Sequence, residues 1–168
     1  MDDAGSVIAF WLLAGLTVGS ALGVVAVRDL IRALVLLITS FLGIAGLYIT
    51  LSADFVAVAQ VLIYAGAISI LLIFAIMLTP LAGRQNAETF LQVPGLLLAG
   101  LVAFTIGFVS LETDWSIAER GGFEETASAI GEALLSKYVL PFEMASVLLL
   151  VAMLGAIVLV RPEGTPEE

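Results

Sequence analysis

One uncharged stretch decides the fold of this chain: residues 55–83, which read FVAVAQVLIYAGAISILLIFAIMLTPLAG. A run of about 18 or more apolar residues is long enough to cross the roughly 30 Å hydrocarbon core of a bilayer. The stretch also carries a polar cluster near its middle, formed by Gln60, Tyr64, Gly66 and Ser69. A simple membrane anchor does not need such a cluster, so the stretch predicts a membrane span with a further role.

The composition of the whole chain also indicates a membrane protein. Of its 168 residues, 61% are hydrophobic and 12% are charged, whereas a soluble domain has about 25% charged residues. The absence of cysteine and histidine excludes thiolate metal sites and removes the commonest metal and haem ligand. We therefore expect no catalytic residue, cofactor site or metal site on this chain. The net charge of −9 argues against nucleic acid as a partner.

Four other apolar runs are also long enough to cross a membrane. Together with the first stretch they predict spans at residues 8–27, 30–51, 55–78, 90–111 and 139–160. A lone segment in lipid can satisfy its backbone hydrogen bonds only as a helix. The sequence therefore predicts an all-α fold: an integral membrane bundle of five transmembrane helices over residues 1–161, followed by a flexible acidic tail at 162–168.

The basic residues predict the orientation of these spans. Four fall on one side and two on the other: Arg28, Arg32, Arg84 and Arg161 against Arg120 and Lys137. Because lysine and arginine concentrate in inner loops, we expect the N-terminus outside and the C-terminus inside. The long loop at 112–138 would then be outside. Its residues 127–135 form either a short amphipathic helix or part of a solvated connector.

Two further features could carry a function. Gly15, Gly19 and Gly23 repeat at helical spacing in the first span and share one face. That face is either a close-packed interface, within the chain or with a partner subunit, or it has no special role, because glycine is common in membrane helices. Glu143 lies about one turn into the fifth span, where a carboxylate is a functional candidate because charge inside a bilayer is unfavourable. It is either a proton relay or hydrogen-bond partner, or an interfacial acid at a helix N-terminus.

The polar cluster of the third span has a conformational interpretation. Gly66 stands between Ala65 and Ala67, which give the backbone little side-chain cover, so a π-bulge or kink is expected there. The Tyr64 hydroxyl needs a partner if it is buried. A backbone with two states beside a tyrosine and the Gln60 amide could gate a water path. The alternative is a close-packed helix crossing with ordinary interhelical hydrogen bonds.

The order of these motifs resembles a known family. YAGAI at residues 64–68 is followed in the fifth span by LPFEMAS at 140–146. The second and third spans are joined by residues 52–54 alone and so should form an antiparallel hairpin, AGLYITLSADF at 45–55. Together with this hairpin, these strings resemble subunit J of bacterial proton-pumping NADH:quinone oxidoreductase, the equivalent of chain 6 of mitochondrial complex I. The resemblance implies a non-catalytic subunit in the cell inner (plasma) membrane. Its partners would be the quinone-chamber subunit, the antiporter-like subunits and the lipid bilayer, while other subunits bind NADH, FMN, iron–sulfur clusters and quinone.

The resemblance also implies roles for individual residues. Tyr64, Ala65 and Gly66 would lie at a π-bulge whose rearrangement gates a water path for protons. Glu143, Gln60 and Tyr64 are the candidates for the proton path. Gln60 stands where some relatives have glutamate, so no titrating group is expected at that point.

Three alternatives stay open from the sequence. The chain could be the equivalent subunit of a related complex that takes electrons from ferredoxin, formate or a deazaflavin, since the donor binds to other subunits. It could also be a structural or assembly membrane protein. A small stand-alone transporter is disfavoured, because transporters commonly show paired internal repeats and this chain shows no clear one.

Overall fold

The computed structural model describes residues 3–79, 92–114 and 126–160, and all regular structure within these ranges is helical. The α-helices in chain order are α1 (Asp3–Ala26), α2 (Leu30–Thr50), α3 (Asp54–Ala59), α4 (Ser69–Leu78), α5 (Gln92–Glu112), α6 (Thr126–Leu135) and α7 (Val139–Val160). A π-helix at Gln60–Ile68, here called the π-segment, joins α3 to α4 without a break.

The five predicted spans are confirmed. Helices long and apolar enough to cross a membrane cover Ala4–Ala26, Leu30–Thr50, Asp54–Leu78, Val93–Glu112 and Val139–Val160; Asp54–Leu78 is called the third span below. The predicted start of the fourth span and the tail at 162–168 lie outside the described residues. Helix α6 confirms the short helix that was one of two expectations for the long loop. The orientation of the termini stays a prediction.

Helices α1 and α2 pack against each other through small residues of α2. A Cβ atom added at Gly43 would collide with the side chain of Thr17 and lie 3.4 Å from its Cα, and one at Gly46 would lie 2.8 Å from Cδ2 of Leu13. In lipid no hydrophobic force drives helices together, so close backbone approach at small residues supplies much of the association. The missing side chain at Gly43 therefore sets the distance between these helices.

The hydroxyl groups at this interface are paired. Thr17 Oγ1 donates to the Leu13 carbonyl at 2.7 Å, and Ser20 Oγ donates to the Leu16 carbonyl at 2.7 Å. Between the helices, Ser40 Oγ donates to the Thr17 carbonyl at 3.4 Å. Such bonds let polar side chains lie in a membrane interface without an unsatisfied group.

The glycine face predicted on α1 is used only in part within the chain. A Cβ at Gly23 would lie 2.9 Å from Cδ1 of Leu36, whereas Cβ atoms at Gly15 and Gly19 would meet nothing within 4 Å. The close packing of α1 thus depends on Gly43 and its neighbours in α2 rather than on Gly15 and Gly19. An approach of a partner subunit to those two glycines stays a prediction.

Helix α2 has a defined start. The Asp29 side chain caps it, with Oδ1 accepting from the backbone N–H groups of Ile31 at 2.9 Å and Arg32 at 3.2 Å. This satisfies two donors that would otherwise be orphaned at the helix N-terminus. The Arg32 Nε atom lies 3.8 Å from Asp29 Oδ2, but both side chains are exposed, so this ion pair contributes little.

The end of α2 reverses the chain toward the third span. Ser52 has a φ of 56°, and its N–H donates to the Ile49 carbonyl at 3.0 Å while the Ala53 N–H donates to the Tyr48 carbonyl at 2.9 Å. This is the Schellman pattern of helix termination, with serine where glycine is the usual residue. All three parts of the third span, α3, the π-segment and α4, then contact α2, which confirms the predicted hairpin.

The chain divides into two compact units, residues 1–122 and 123–168. In the first unit, α1, α2 and the third span form the packed core, whereas α5 packs against none of them among the described residues. In the second unit, α6 packs against α7. The described side chains of α5 and those of α7 are exposed throughout. Apolar surfaces of that extent belong in lipid or against other membrane helices.

Replacing Gly43 with alanine should weaken the α1–α2 pair, because the new methyl group collides with Thr17. Overpacking of this kind typically costs about 1–3 kcal/mol, so we expect a severalfold loss of assembled chain. The measurement is the amount of chain in native membrane complexes, by native gel and immunoblot. Gly15→Ala, at an open position, should assemble as the wild type does. Equal losses in both variants would contradict the role assigned to Gly43.

Candidate functional site

The third span changes its helical geometry near its middle. Between α3 and α4, the π-segment replaces the regular i→i+4 pattern with i→i+5 hydrogen bonds. π-Helical turns are rare and occur frequently at functional sites. Tyr64, Ala65 and Gly66 all lie within the π-segment, as the sequence pattern had indicated. Their role in gating stays a prediction.

Gly66 suits this geometry because it has no side chain. A Cβ atom there would lie 3.3 Å from the carbonyl oxygen of Val61, five residues earlier. That distance is shorter than an ordinary van der Waals contact, so a larger residue would force a small shift of the π-helical backbone. Glycine also disfavours a regular helix by roughly 0.8–1.0 kcal/mol relative to alanine. Both effects lower the preference for regular geometry at this position.

Tyr64 connects the π-segment to α2. Its ring meets the ring of Phe41 edge to face, with centroids 5.6 Å apart and planes at 67°. The Tyr64 side chain is 46% exposed in this chain, so one side of the ring lies against α2 and the other is open. An aromatic pair in this geometry contributes about 0.5–1.5 kcal/mol beyond its buried area.

A buried polar residue begins the π-segment and another directly follows it. Gln60, its first residue, is 9% exposed, and Ser69, the residue after its end, is 1% exposed. Ser69 Oγ donates to the Tyr64 carbonyl oxygen at 2.8 Å, and the Ser69 backbone N–H donates to the same oxygen. The structure therefore places the whole polar cluster in one span, with its buried members packed in the core that α2 and the third span form.

An open apolar groove of about 350 Å³ lies between α2 and the first half of the third span. It is lined by Ala45, Ile49, Asp54, Ala57, Val58, Val61 and Leu62. Asp54 is the one charged residue among them. Because Val61 and Leu62 belong to the π-segment, a change of helical geometry there would reshape the groove.

Glu143 lies in the second unit, in the first turns of α7, and its side chain is exposed. Ser146 Oγ donates at 2.8 Å to the backbone carbonyl of Glu143 rather than to its carboxylate. Pro141 precedes it in the first turn of the helix, where proline is tolerated because that N–H has no helical partner. Gln60 and Tyr64 lie together in the first unit, so a proton path through all three residues stays a prediction.

The described residues contain no group of three or more Asp, Glu, His or Cys side chains that could hold a metal ion. The cofactor sites assigned to partner subunits stay predictions. Two contacts of the site were not predicted from the sequence: Phe41 against Tyr64, and the Ser69 hydroxyl on the Tyr64 carbonyl. Phe41 lies in a uniform apolar run that gives no signal. The spacing of five residues between Tyr64 and Ser69 was the available signal for the second contact.

This arrangement defines a class of protein: a multi-pass helical membrane protein with one span that departs from regular geometry around a polar cluster. The comparison with known proteins gives the family. Residues 20–159 match the family model of NADH-ubiquinone/plastoquinone oxidoreductase chain 6. The chain belongs to this family, which confirms the resemblance drawn from YAGAI and LPFEMAS.

Individual relatives agree with the family match. NAD(P)H-quinone oxidoreductase chain 6 of Synechocystis is 46% identical over 170 residues, covering 95% of this chain and 83% of the relative. The protein of the same name from Leptolyngbya boryana is 42% identical, covering all of this chain and 86% of the relative. F420H2 dehydrogenase subunit J of Methanosarcina mazei is 38% identical, covering 98% of this chain and 99% of the relative. The chain is thus a membrane subunit of an NADH-quinone oxidoreductase complex.

The contact between Tyr64 and Phe41 can be tested by Phe41→Leu, which keeps an apolar side chain and removes the ring. Loss of about 0.5–1.5 kcal/mol should increase local opening of the π-segment roughly two- to tenfold. The measurement is amide hydrogen exchange over residues 60–68 in the assembled complex. Phe104→Leu removes a ring from the Phe104–Phe108 pair of α5 and serves as the control. Unchanged exchange in Phe41→Leu would show that the ring contact does not stabilise the π-segment.

Proposed function

We propose that this chain couples quinone reduction, carried out elsewhere in the complex, to proton translocation through a conformational gate in its third span. In the π-helical state the span closes a water path, and in a regular helical state it opens that path. The observation that carries the proposal is the π-segment at Gln60–Ile68 inside a membrane-spanning helix. A π-helical turn differs from a regular helix by a shift of hydrogen-bond partners and is frequent at functional sites, and the proposal is that this span adopts both forms.

The surroundings of the π-segment support a gate rather than a static kink. The segment packs against α2, while its Leu62 and Ile63 side chains are 66% and 53% exposed. Contact with α2 on part of the segment and open space on the rest allow the downstream half of the span to rotate while α1 and α2 stay packed together. Rotation would change which side chains face the open side. The amount of water in a path beside Gln60 would change as a result.

The proposal divides the proton path into two parts. Gln60 and Tyr64 supply an amide and a hydroxyl that can hydrogen-bond water. Glu143 is a carboxylate in the first turns of α7, and it would exchange protons with groups on a neighbouring subunit or with water. In this scheme the π-segment controls water access, and Glu143 is the relay on α7.

The remaining chemistry is assigned to other subunits. NADH, FMN, iron–sulfur clusters and quinone would bind to partners, and this chain would carry no active site. The absence of cysteine and histidine in the sequence supports this assignment for iron–sulfur clusters, since cysteine is their standard ligand. We place the quinone-chamber subunit and the antiporter-like subunits against the exposed apolar faces of α5 and α7, within a cell inner (plasma) membrane.

The gate is tested by Gly66→Leu. The leucine side chain would press on the Val61 carbonyl in the π-helical state, and leucine favours a regular helix over glycine by roughly 0.8 kcal/mol. The span should then be held in one state. We expect proton pumping per electron to fall severalfold while the complex assembles and still reduces quinone. The measurement is proton uptake by vesicles during quinone reduction, with assembly checked on a native gel.

Gly100→Leu is the matched control for this experiment. It adds the same side chain in α5, at a position where a Cβ meets nothing within 4 Å. It should pump protons as the wild type does. Normal pumping in an assembled Gly66→Leu complex would refute the gate.

A second candidate concerns the electron donor. The relative from Methanosarcina mazei is named as part of an F420H2 dehydrogenase, so a deazaflavin-dependent complex is the specific alternative. We expect this chain to migrate on a native gel of mild-detergent membranes with a very large band that oxidises NADH in the gel. Migration with a large band that lacks NADH oxidation would favour the alternative donor instead.

A further inference from the structure

We propose that Ser69 is a positioning residue that holds the third span in its π-helical register, through the hydrogen bond from its hydroxyl to the Tyr64 carbonyl. This inference rests on the proposed function, because it names the side chain that sets the balance between the two states of the gate. Ser69 is the first residue of α4 and directly follows the π-segment.

The burial of Ser69 makes its hydroxyl bond obligatory. At 1% exposure it is the one fully buried side chain in the part of the chain that the structure describes. A buried hydroxyl without a partner is strongly disfavoured relative to one in water. The Tyr64 carbonyl oxygen is the acceptor, at 2.8 Å.

The spacing of this bond differs from that of seven other local hydroxyl bonds among the described residues. The usual acceptor is the carbonyl four residues earlier, as for Thr17, Ser20, Thr39, Thr79 and Thr105, or three earlier, as for Thr50 and Ser146. Ser69 instead reaches the carbonyl five residues earlier. The Ser69 backbone N–H donates to that same oxygen, so the hydroxyl doubles a bond that defines the π-helix.

A regular helix would remove both parts of this arrangement. The Ser69 N–H would donate to the Ala65 carbonyl, and the residues after the π-segment would turn about the helix axis relative to those before it. Ser69 would then leave its enclosed position in the core with α2, and its hydroxyl would exchange the Tyr64 carbonyl for the Ala65 carbonyl four residues earlier, as hydroxyls elsewhere in the chain do. We expect the enclosed bond to the Tyr64 carbonyl to be the more favourable of the two, because a hydrogen bond is stronger in a low-dielectric core. A difference of about one ordinary net hydrogen bond corresponds to a roughly two- to tenfold change in the ratio of the two forms.

The test is Ser69→Ala in the complete native complex, with two readouts. Electron cryomicroscopy gives the fraction of particles whose third span is π-helical over residues 60–68, and vesicle assays give protons pumped per electron. We expect the ratio of π-helical to regular particles to fall roughly two- to tenfold, with quinone reduction retained and fewer protons pumped per electron. An unchanged ratio in Ser69→Ala would overturn the inference.

Ser20→Ala is the matched control, since Ser20 is 6% exposed and its hydroxyl donates to the Leu16 carbonyl in the regular helix α1. It should change neither readout; a shift of the ratio as large as that of Ser69→Ala would also overturn the inference. If Ser69→Ala does not assemble, Ser69→Cys gives the answer. Cysteine keeps the unbranched shape of serine, but its thiol donates only a weak hydrogen bond. The ratio of π-helical to regular particles should therefore fall in Ser69→Cys as well. A ratio equal to that of the wild type would contradict the positioning role of Ser69.

The two proposals fail separately in these experiments. A lower π-helical fraction with normal pumping in Ser69→Ala would support the positioning role of Ser69 and contradict the gate. Loss of pumping in Gly66→Leu together with an unchanged ratio in Ser69→Ala would support the gate and contradict the role of Ser69.

Discussion

The structure depends on one constraint: inside a bilayer, every backbone N–H and C=O group must find a partner within the protein. An unpaired group in hydrocarbon costs several kcal/mol, which leaves helices as the form available to segments that cross one by one. The constraint is satisfied by i→i+4 bonds in four of the spans of this chain and by a mixture of i→i+4 and i→i+5 bonds in the third. The i→i+5 bonds of the π-segment are a second way to pair the backbone groups. The span could therefore change between π-helical and regular geometry without exposing unpaired backbone groups to lipid.

The third span combines features that weaken the regular helix with features that favour the π-helix. Gly66 lacks the side chain that would crowd the Val61 carbonyl, and the Tyr64 carbonyl receives two donors from Ser69. Each effect is on the order of 1 kcal/mol. Contributions of this size are small enough for the proposed gate, because a much larger bias would hold the span in one form.

The rest of the chain supplies a fixed support for this span. Helices α1 and α2 meet closely at Gly43 and Gly46, and α2 carries Phe41, which contacts the Tyr64 ring. Helices α5 and α7 instead present exposed apolar surfaces, as expected for a subunit whose neighbours complete its environment. The membership of the chain in a family of multi-subunit oxidoreductases agrees with a chain that has a small internal core and large external faces.

The sequence by itself determined the five spans, the hairpin before the polar cluster, and the position of the departure from regular geometry. Length, hydropathy and helicity are local properties that the bilayer imposes on each segment, and the spacing of Gln60, Tyr64 and Gly66 is visible in one stretch. The tertiary structure alone decided which faces meet: Gly43 rather than Gly15 against a neighbouring helix, Phe41 against Tyr64, and Ser69 facing inward at 1% exposure. The physical reason is that lipid is as apolar as leucine, so the inward face of a membrane helix has no hydrophobic signature in its sequence.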